Sequence, residues 1–93
     1  MGVILTGFLD VPPDRLEAVR AALPLHVRLS RAEPECDHFE VFESASVAGR
    51  FAVSERFATR AGFQAHRDRS AASDWGRVTR GLPRNYKIVE TPD

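Results

Sequence analysis

Apolar positions recur at two different spacings along this chain, and each change of spacing marks a new element. From Val3 to Val11 the pattern is extended, with Val3, Leu5 and Leu9 on one side and Ile4, Thr6 and Phe8 on the other. Alternation at period two is strand geometry, and two largely apolar sides predict a central strand covered on both faces. Pro12-Pro13-Asp14 closes it and pre-sets a first helical turn. Leu16, Val19, Leu23 and Val27 then follow at steps of three and four, and Ala18, Ala22, Leu25 and Leu29 widen the stripe. Asp14 to about Ser30 therefore reads as helix. Pro24 lies inside it and predicts a kink or a break.

Arg31-Ala32-Glu33-Pro34-Glu35-Cys36 reads as a turn, because a proline disfavours helix at the residue before it. A strand at about His38–Glu43 sets Phe39 and Val41 against His38 and Phe42, and Ser44–Gly49 is a small polar hairpin loop. Phe51–Phe57 is a third strand with Val53, Glu55 and Phe57 on one face. Thr59 is a helix N-cap type, and Phe63 and His66 share one face of the helix that follows. A break is expected near Arg69–Ser70, before a second helical run carrying Ala71, Trp75, Val78 and Leu82. Asn85–Glu90 completes the set as a fourth strand.

The order is βαββαβ, the split βαβ of an α+β, ferredoxin-like fold. Right-handed crossovers place strands one and three in the centre, with the helices on one face. The opposite face presents Ile4, Phe8 and Phe42. That is too apolar for water and predicts a homodimer in which two such sheets pack together.

Composition narrows the function classes. With 93 residues, 43% hydrophobic and 28% charged, the chain is sized for one soluble domain over 1–93. The lone Cys36 excludes an internal disulfide and a cysteine-based zinc site, and its acidic neighbours Glu35 and Asp37 argue against a nucleophilic thiol. His26, His38 and His66 lack metal-ligand spacing, so no metal is expected, and His26 and His38 read as surface residues. The first ten residues have no positive n-region and no stretch reaches membrane-spanning length, so a cytoplasmic protein without membrane contact is expected. Residues 1–43 hold eight acids and four arginines, whereas 44–93 hold five acids and nine bases. These bases are interleaved with Glu55, Asp68 and Asp74, which argues against nucleic acid. A solvated helix face and a basic rim around a pocket for a phenolate or other anion remain as readings.

Val53 to Trp75 collects a carboxylate, an imidazole and an indole in one supersecondary unit, and a pocket is expected there. His66 suits a general base, since an imidazole titrates near neutral pH, or else it is a structural helix histidine. Glu55 faces inward, where a carboxylate needs a partner; an ion pair with Arg31 or Arg84 competes with acid–base work. Trp75 is either a stacking surface or core, and Tyr86 either donates to a substrate oxygen or edges the sheet. Arg31 and Glu33 read as an ion-paired clamp on the helix-to-strand turn. No glycine-rich phosphate loop, GxSxG elbow or HExxH is present.

Arg31–Cys36, Glu55-Arg56-Phe57, Ala61-Gly62-Phe63-Gln64-Ala65-His66, Ser73-Asp74-Trp75-Gly76 and Arg84-Asn85-Tyr86 occur in an order that resembles the antibiotic biosynthesis monooxygenase family, in particular its quinol-monooxygenase-like members. The resemblance spans nearly the whole chain. It implies a dimeric α+β barrel with a pocket in each subunit between helices and sheet. It also implies oxidation of a phenolic or quinol-type aromatic by O₂ with no cofactor: no flavin, haem or metal. His66, Glu55 and Tyr86 would carry the chemistry, with Trp75, Phe57, Phe63, Arg84 and Arg31 as substrate contacts. Some relatives have a second histidine where this chain has Ala71. Haem-degrading members have an asparagine near the position of Thr6 and a tryptophan before the histidine, so haem degradation is not expected here. The competing expectation is a non-catalytic dimer that binds a small aromatic metabolite. What discriminates the two is whether His66 stays accessible beside open volume or the pocket is filled by Phe57, Phe63 and Trp75.

Overall fold

A computed structural model describes residues 1–92 as β1 (Gly2–Asp10), α1 (Pro13–Arg31), β2 (Cys36–Glu43), β3 (Arg50–Phe57), α2 (Arg60–Ala72), α3 (Asp74–Thr79) and β4 (Arg84–Thr91). The strands form one sheet in the order β2-β3-β1-β4, every neighbouring pair antiparallel. This is the ferredoxin-like α+β arrangement, with β1 and β3 central as the crossover rule requires.

Register follows from which side chains must be dry. Val3 pairs with Phe57, Leu5 with Glu55 and Leu9 with Phe51. A slip of one residue would turn all of these to the outer face. Together with Phe39 and Val53 they make the buried floor on which the helices lie. Leu9, Phe51, Trp75, Val78 and Leu82 form one apolar cluster, and Val3, Leu5, Phe39, Val53, Phe57 and Phe63 form another.

Two expectations for the first helix are corrected: Pro24 does not break it, and its buried face is not the one the apolar stripes marked. α1 runs unbroken through Pro24, whose ring sits on the exposed side, where the Arg20 carbonyl it leaves unpaired can be hydrated. The buried face is centred on Val19, Ala22, His26 and Ser30, while Leu25 and Leu29 lie in solvent. His26 is therefore not a surface residue. The two overlapping apolar stripes of the sequence bracket the true inward face, and the histidine falls in the gap between them. His38 is exposed, as expected.

The interruption of the second helical run comes at Ser73, later than Arg69–Ser70. Ser73 is extended, its hydroxyl donates to the Ser70 carbonyl at 2.7 Å, and it accepts from the Gly76 amide at 3.3 Å to cap α3. Gly76 lies so close to the Ser70 and Ala71 carbonyls that any Cβ would collide with them. On the outer face, Phe42 and Val89 are exposed, and Phe8 lies beneath the Arg50 guanidinium, 3.6 Å from its ring centroid. Asp10 holds Arg50 there through bonds of 2.9 and 3.1 Å. Among the described residues no helix is long and apolar enough to cross a membrane.

Gly7 and Gly81 both have positive φ, at 145° and 78°, but only Gly7 is crowded: a Cβ there would meet the Asn85 carbonyl oxygen and come 2.9 Å from the Tyr86 Cα. Gly7→Ala should cost more than about 2 kcal/mol, since strain and collision add, and Gly81→Ala only about 1 kcal/mol. Urea unfolding of both variants tests this; equal losses would mean that the β1–β4 pairing yields without cost.

Candidate functional site

Three short-range devices aim the second half of the chain at the sheet. The Thr59 hydroxyl accepts from the Gly62 amide at 2.9 Å and starts α2, which turns Phe63 and His66 inward. The Ser73 cap re-aims the chain so that Trp75, on the first turn of α3, is buried. Arg84, at the start of β4, donates to the Thr79 and Leu82 carbonyls and to the Thr79 hydroxyl, fixing the end of α3 to the sheet.

Between these elements lies a cavity of about 410 Å³. Leu5 and Glu55 come from the central strands, Tyr86 and Ile88 from β4, and Phe63 and His66 from α2. Trp75 closes one side, its indole stacked on the His26 ring at 4.7 Å and 5° between planes. Arg67, Arg80 and Arg84, all on exposed positions, stand around the opening. The volume suits a small-molecule site.

His66 is the polar centre. Its Nδ1 lies 2.8 Å from Glu33 Oε1, and Glu33 Oε2 accepts from Arg69 Nε at 3.0 Å. Arg69 also donates to the Ser30 hydroxyl at 2.9 Å, which in turn donates to the His26 carbonyl at 2.7 Å. A carboxylate facing Nδ1 selects the tautomer with its proton on Nδ1 and leaves a lone pair on Nε2. Nε2 points toward Glu55 Oε1 at 3.6 Å, too long for a hydrogen bond.

The local field sets the charges. Burial lowers the His66 pKa below its ordinary value; Glu33 opposes this without reversing it, so the imidazole is neutral at pH 7. Burial, reinforced by the nearby Glu33 charge, pushes Glu55 up to about 7. Burial also pushes Tyr86 up to about 12, so it stays a phenol and a donor. His26, desolvated and facing His66 and Arg69, is pushed down to about 3; its Nδ1 is buried without a hydrogen-bond partner.

Of the residues singled out in the sequence, His66, Glu55, Tyr86, Trp75, Phe63 and Arg84 border this one cavity. Two do not. Phe57 lies behind it, packed on Phe63 and on the His66 ring at 4.9 Å between centroids. Arg31 is outside, donating to the Phe39 carbonyl at 3.0 Å on the far side of the turn, because the last residue of α1 points away from α2. Glu55 has no arginine partner: its neighbour is His66. Glu33 makes the expected ion pair with Arg69 instead of Arg31, and so enters the site. Sequence reasoning missed His26 and undervalued Glu33. For His26 the available signal was its step of four from Ala22 and from Ser30; for Glu33 no local signal existed. Burial, with Glu33 as the largest charge contribution, raises the Cys36 thiol pKa, in keeping with an inert cysteine.

The Glu55 shift has a consequence for stability. A carboxyl whose pKa rises from its ordinary 4.5 to about 7 favours the folded state in its protonated form. That contribution is fully present below about pH 4.5 and is lost as pH rises through about 7. Glu55→Gln, which cannot ionise, should gain on the order of 2–3 kcal/mol over wild type between pH 4.5 and 8. Urea unfolding at both ends of the range measures this; a difference that does not change with pH would show that Glu55 titrates as a free carboxylate.

The sequence model for "Antibiotic biosynthesis monooxygenase" matches residues 2–77. No curated protein matches the chain. Among solved structures, a Nitrosomonas europaea protein assigned to the antibiotic biosynthesis monooxygenases is similar at 26% identity and a TM-score of 0.80, with 98% of each chain covered. Rv0793 from Mycobacterium tuberculosis has the same fold at 22% identity and a TM-score of 0.76, covering 100% of this chain and 97% of that one. A Caulobacter crescentus protein with the same assignment matches in fold at 17% identity and a TM-score of 0.73, over 99% of this chain and 91% of its own. By the family match over most of its length, the chain belongs to the antibiotic biosynthesis monooxygenase family.

Proposed function

We propose that this protein is a monooxygenase that oxidises a phenolic or quinol-type aromatic with O₂ and uses no cofactor, with His66 as its base. The observation that supports this most is the open volume beside a buried imidazole: Phe63 and Trp75 wall the cavity and do not fill it. His66 Nε2 takes the hydroxyl proton of the bound aromatic, while Glu33 holds Nδ1 and stabilises the imidazolium that forms. Tyr86 donates to the phenolate oxygen, and Arg84 adds positive charge beside it.

Deprotonation makes the ring reducing enough to pass one electron to O₂. The aryloxyl radical and superoxide then combine at the ring carbon para to the hydroxyl, and the imidazolium returns its proton to the peroxide. Loss of the C–H proton with cleavage of the O–O bond gives a quinone carbonyl and one water. A phenol with a free para position thus becomes a quinone, and the substrate supplies all four electrons that O₂ accepts.

His66→Ala should lower O₂-dependent oxidation by about 10²–10⁴-fold, as loss of a general base does. Oxygen-electrode assays with a panel of catechols and naphthols that keep a free para position test this, with circular dichroism confirming the fold. Wild-type turnover in the variant would make the imidazole structural and refute this mechanism.

Assembly belongs to the same reading. Ile4, Phe8, Phe42 and Val89 on the outer sheet face support a homodimer built by pairing that face with its copy. Sedimentation equilibrium at micromolar concentration should give twice 10.4 kDa. Phe42→Asp should dissociate the dimer, since a buried unpaired carboxylate would stand in the interface. A monomeric wild-type protein would refute the pairing.

A further inference from the structure

The cavity divides by charge as well as by depth. Its inner part is polar but weakly charged: His66 is neutral, Tyr86 is a phenol, and Glu55 is pushed up to about 7. Its opening carries Arg67 from α2, Arg80 from the turn after α3, and Arg84 from β4. Glu55 is the one carboxylate among the lining residues, and it lies at the inner end, 7% exposed.

Arg15 and Arg31 bond to carbonyls, but most guanidinium groups away from the cavity are compensated by a carboxylate: Arg20, Arg50, Arg60, Arg69 and Arg77. At the opening they are not. Among the described residues Arg67 and Arg80 have no carboxylate within ion-pairing distance, and Arg84 bonds to carbonyls and to the Thr79 and Tyr86 hydroxyls rather than to a carboxylate. The Arg67 guanidinium instead lies 5.5 Å over the Phe63 ring, which holds it at the cavity edge. The backbone that carries Arg80 is also fixed, because Arg15 donates to the Val78 and Arg80 carbonyls at 2.8 and 2.9 Å. Three cations with no carboxylate partner, around a hollow lined by both polar and apolar groups, attract an anion and orient it.

We infer that the substrate is an aromatic carboxylate: the hydroxyl-bearing ring enters toward His66 and Tyr86, and a separate carboxylate remains at the opening on Arg67 and Arg80. A guanidinium pairs with a planar carboxylate through two parallel bonds, which fixes the direction of entry as well as the affinity. This rests on reading the cavity as the substrate site, and it specifies which phenols the site selects.

Calorimetric titration with 5-hydroxy-1-naphthoate, whose carboxylate and hydroxyl lie on opposite sides of the ring system, and with 1-naphthol tests it, because the pair differs only in the carboxylate. Wild type should bind the carboxylate at least about 10-fold more tightly, the size of one charge-assisted contact. The preference should shrink with added salt. In the Arg67→Gln/Arg80→Gln variant it should largely vanish, with 1-naphthol affinity changed less than about twofold. Both side chains are exposed, so the variant should fold, and circular dichroism verifies that. Equal affinities in wild type, a preference that survives in the double variant, or no binding of either ligand at millimolar concentration would overturn the inference. Because the titration measures binding without turnover, a carboxylate preference in a protein that consumes no O₂ would leave this inference standing and remove the oxygenase reading.

Discussion

Two carboxylates flank one buried imidazole, and the interior cannot hold both ionised without compensation. Glu33 is compensated, because Arg69 and the His66 Nδ1–H both donate to it. Among the described residues Glu55 has no such donors; it lies under α2 at 7% exposure and responds with a pKa raised to about 7. That asymmetry gives the site its character. Below about pH 7 the interior is a cluster of neutral groups with one open lone pair, joined through His66 to the Glu33–Arg69 pair.

The rest of the fold serves that arrangement. Glu33 sits in the turn between α1 and β2, and Glu55 sits in mid-strand on β3, so their separation is set by the antiparallel pairing of β2 with β3. His66 arrives from a third direction, on the helix that Thr59 starts. Phe57 and Phe39 press on the His66 ring from below, at 4.9 and 5.3 Å between centroids, and limit its rotation. Trp75 does not touch the base; it is held against His26 by face-to-face stacking, and so keeps a flat wall beside the cavity. A flat aromatic guest is the shape such a wall accepts.

The alternation of apolar residues made the strands legible, and β1, β3 and β4 lie within a residue or two of the reading. Inward-facing Glu55 was also legible, because period two leaves no doubt about side once Val53 and Phe57 are known to be buried. Helices were harder. Two adjacent stripes on α1 each looked like the buried face, and a shift of about one position decides whether His26 is wet or dry. Pro24 misled for a related reason: its cost depends on whether the freed carbonyl meets water, which is a tertiary fact. Arg31 and Glu33 were both assigned to the turn, yet the chain sends them to opposite sides of it. No local rule distinguishes these outcomes, since each depends on what packs opposite.

The competition at His66 finally bears on rate as well as on charge. Desolvation weakens the imidazole as a base, and the Glu33 hydrogen bond strengthens it, with desolvation the larger of the two. In the proposed reaction, a base that is neutral before the substrate arrives would need no prior loss of a proton, and it would gain strength as a phenolate formed beside the imidazolium. Glu55 has the complementary property: protonated, it can donate toward the same oxygen; ionised, it would oppose the developing negative charge. Proton release from Glu55 near pH 7 therefore couples the electrostatics of the cavity to the pH at which the protein works. In the proposed reaction the Glu33–His66 pair would set the direction of proton transfer, and Glu55 would set how much negative charge the cavity tolerates.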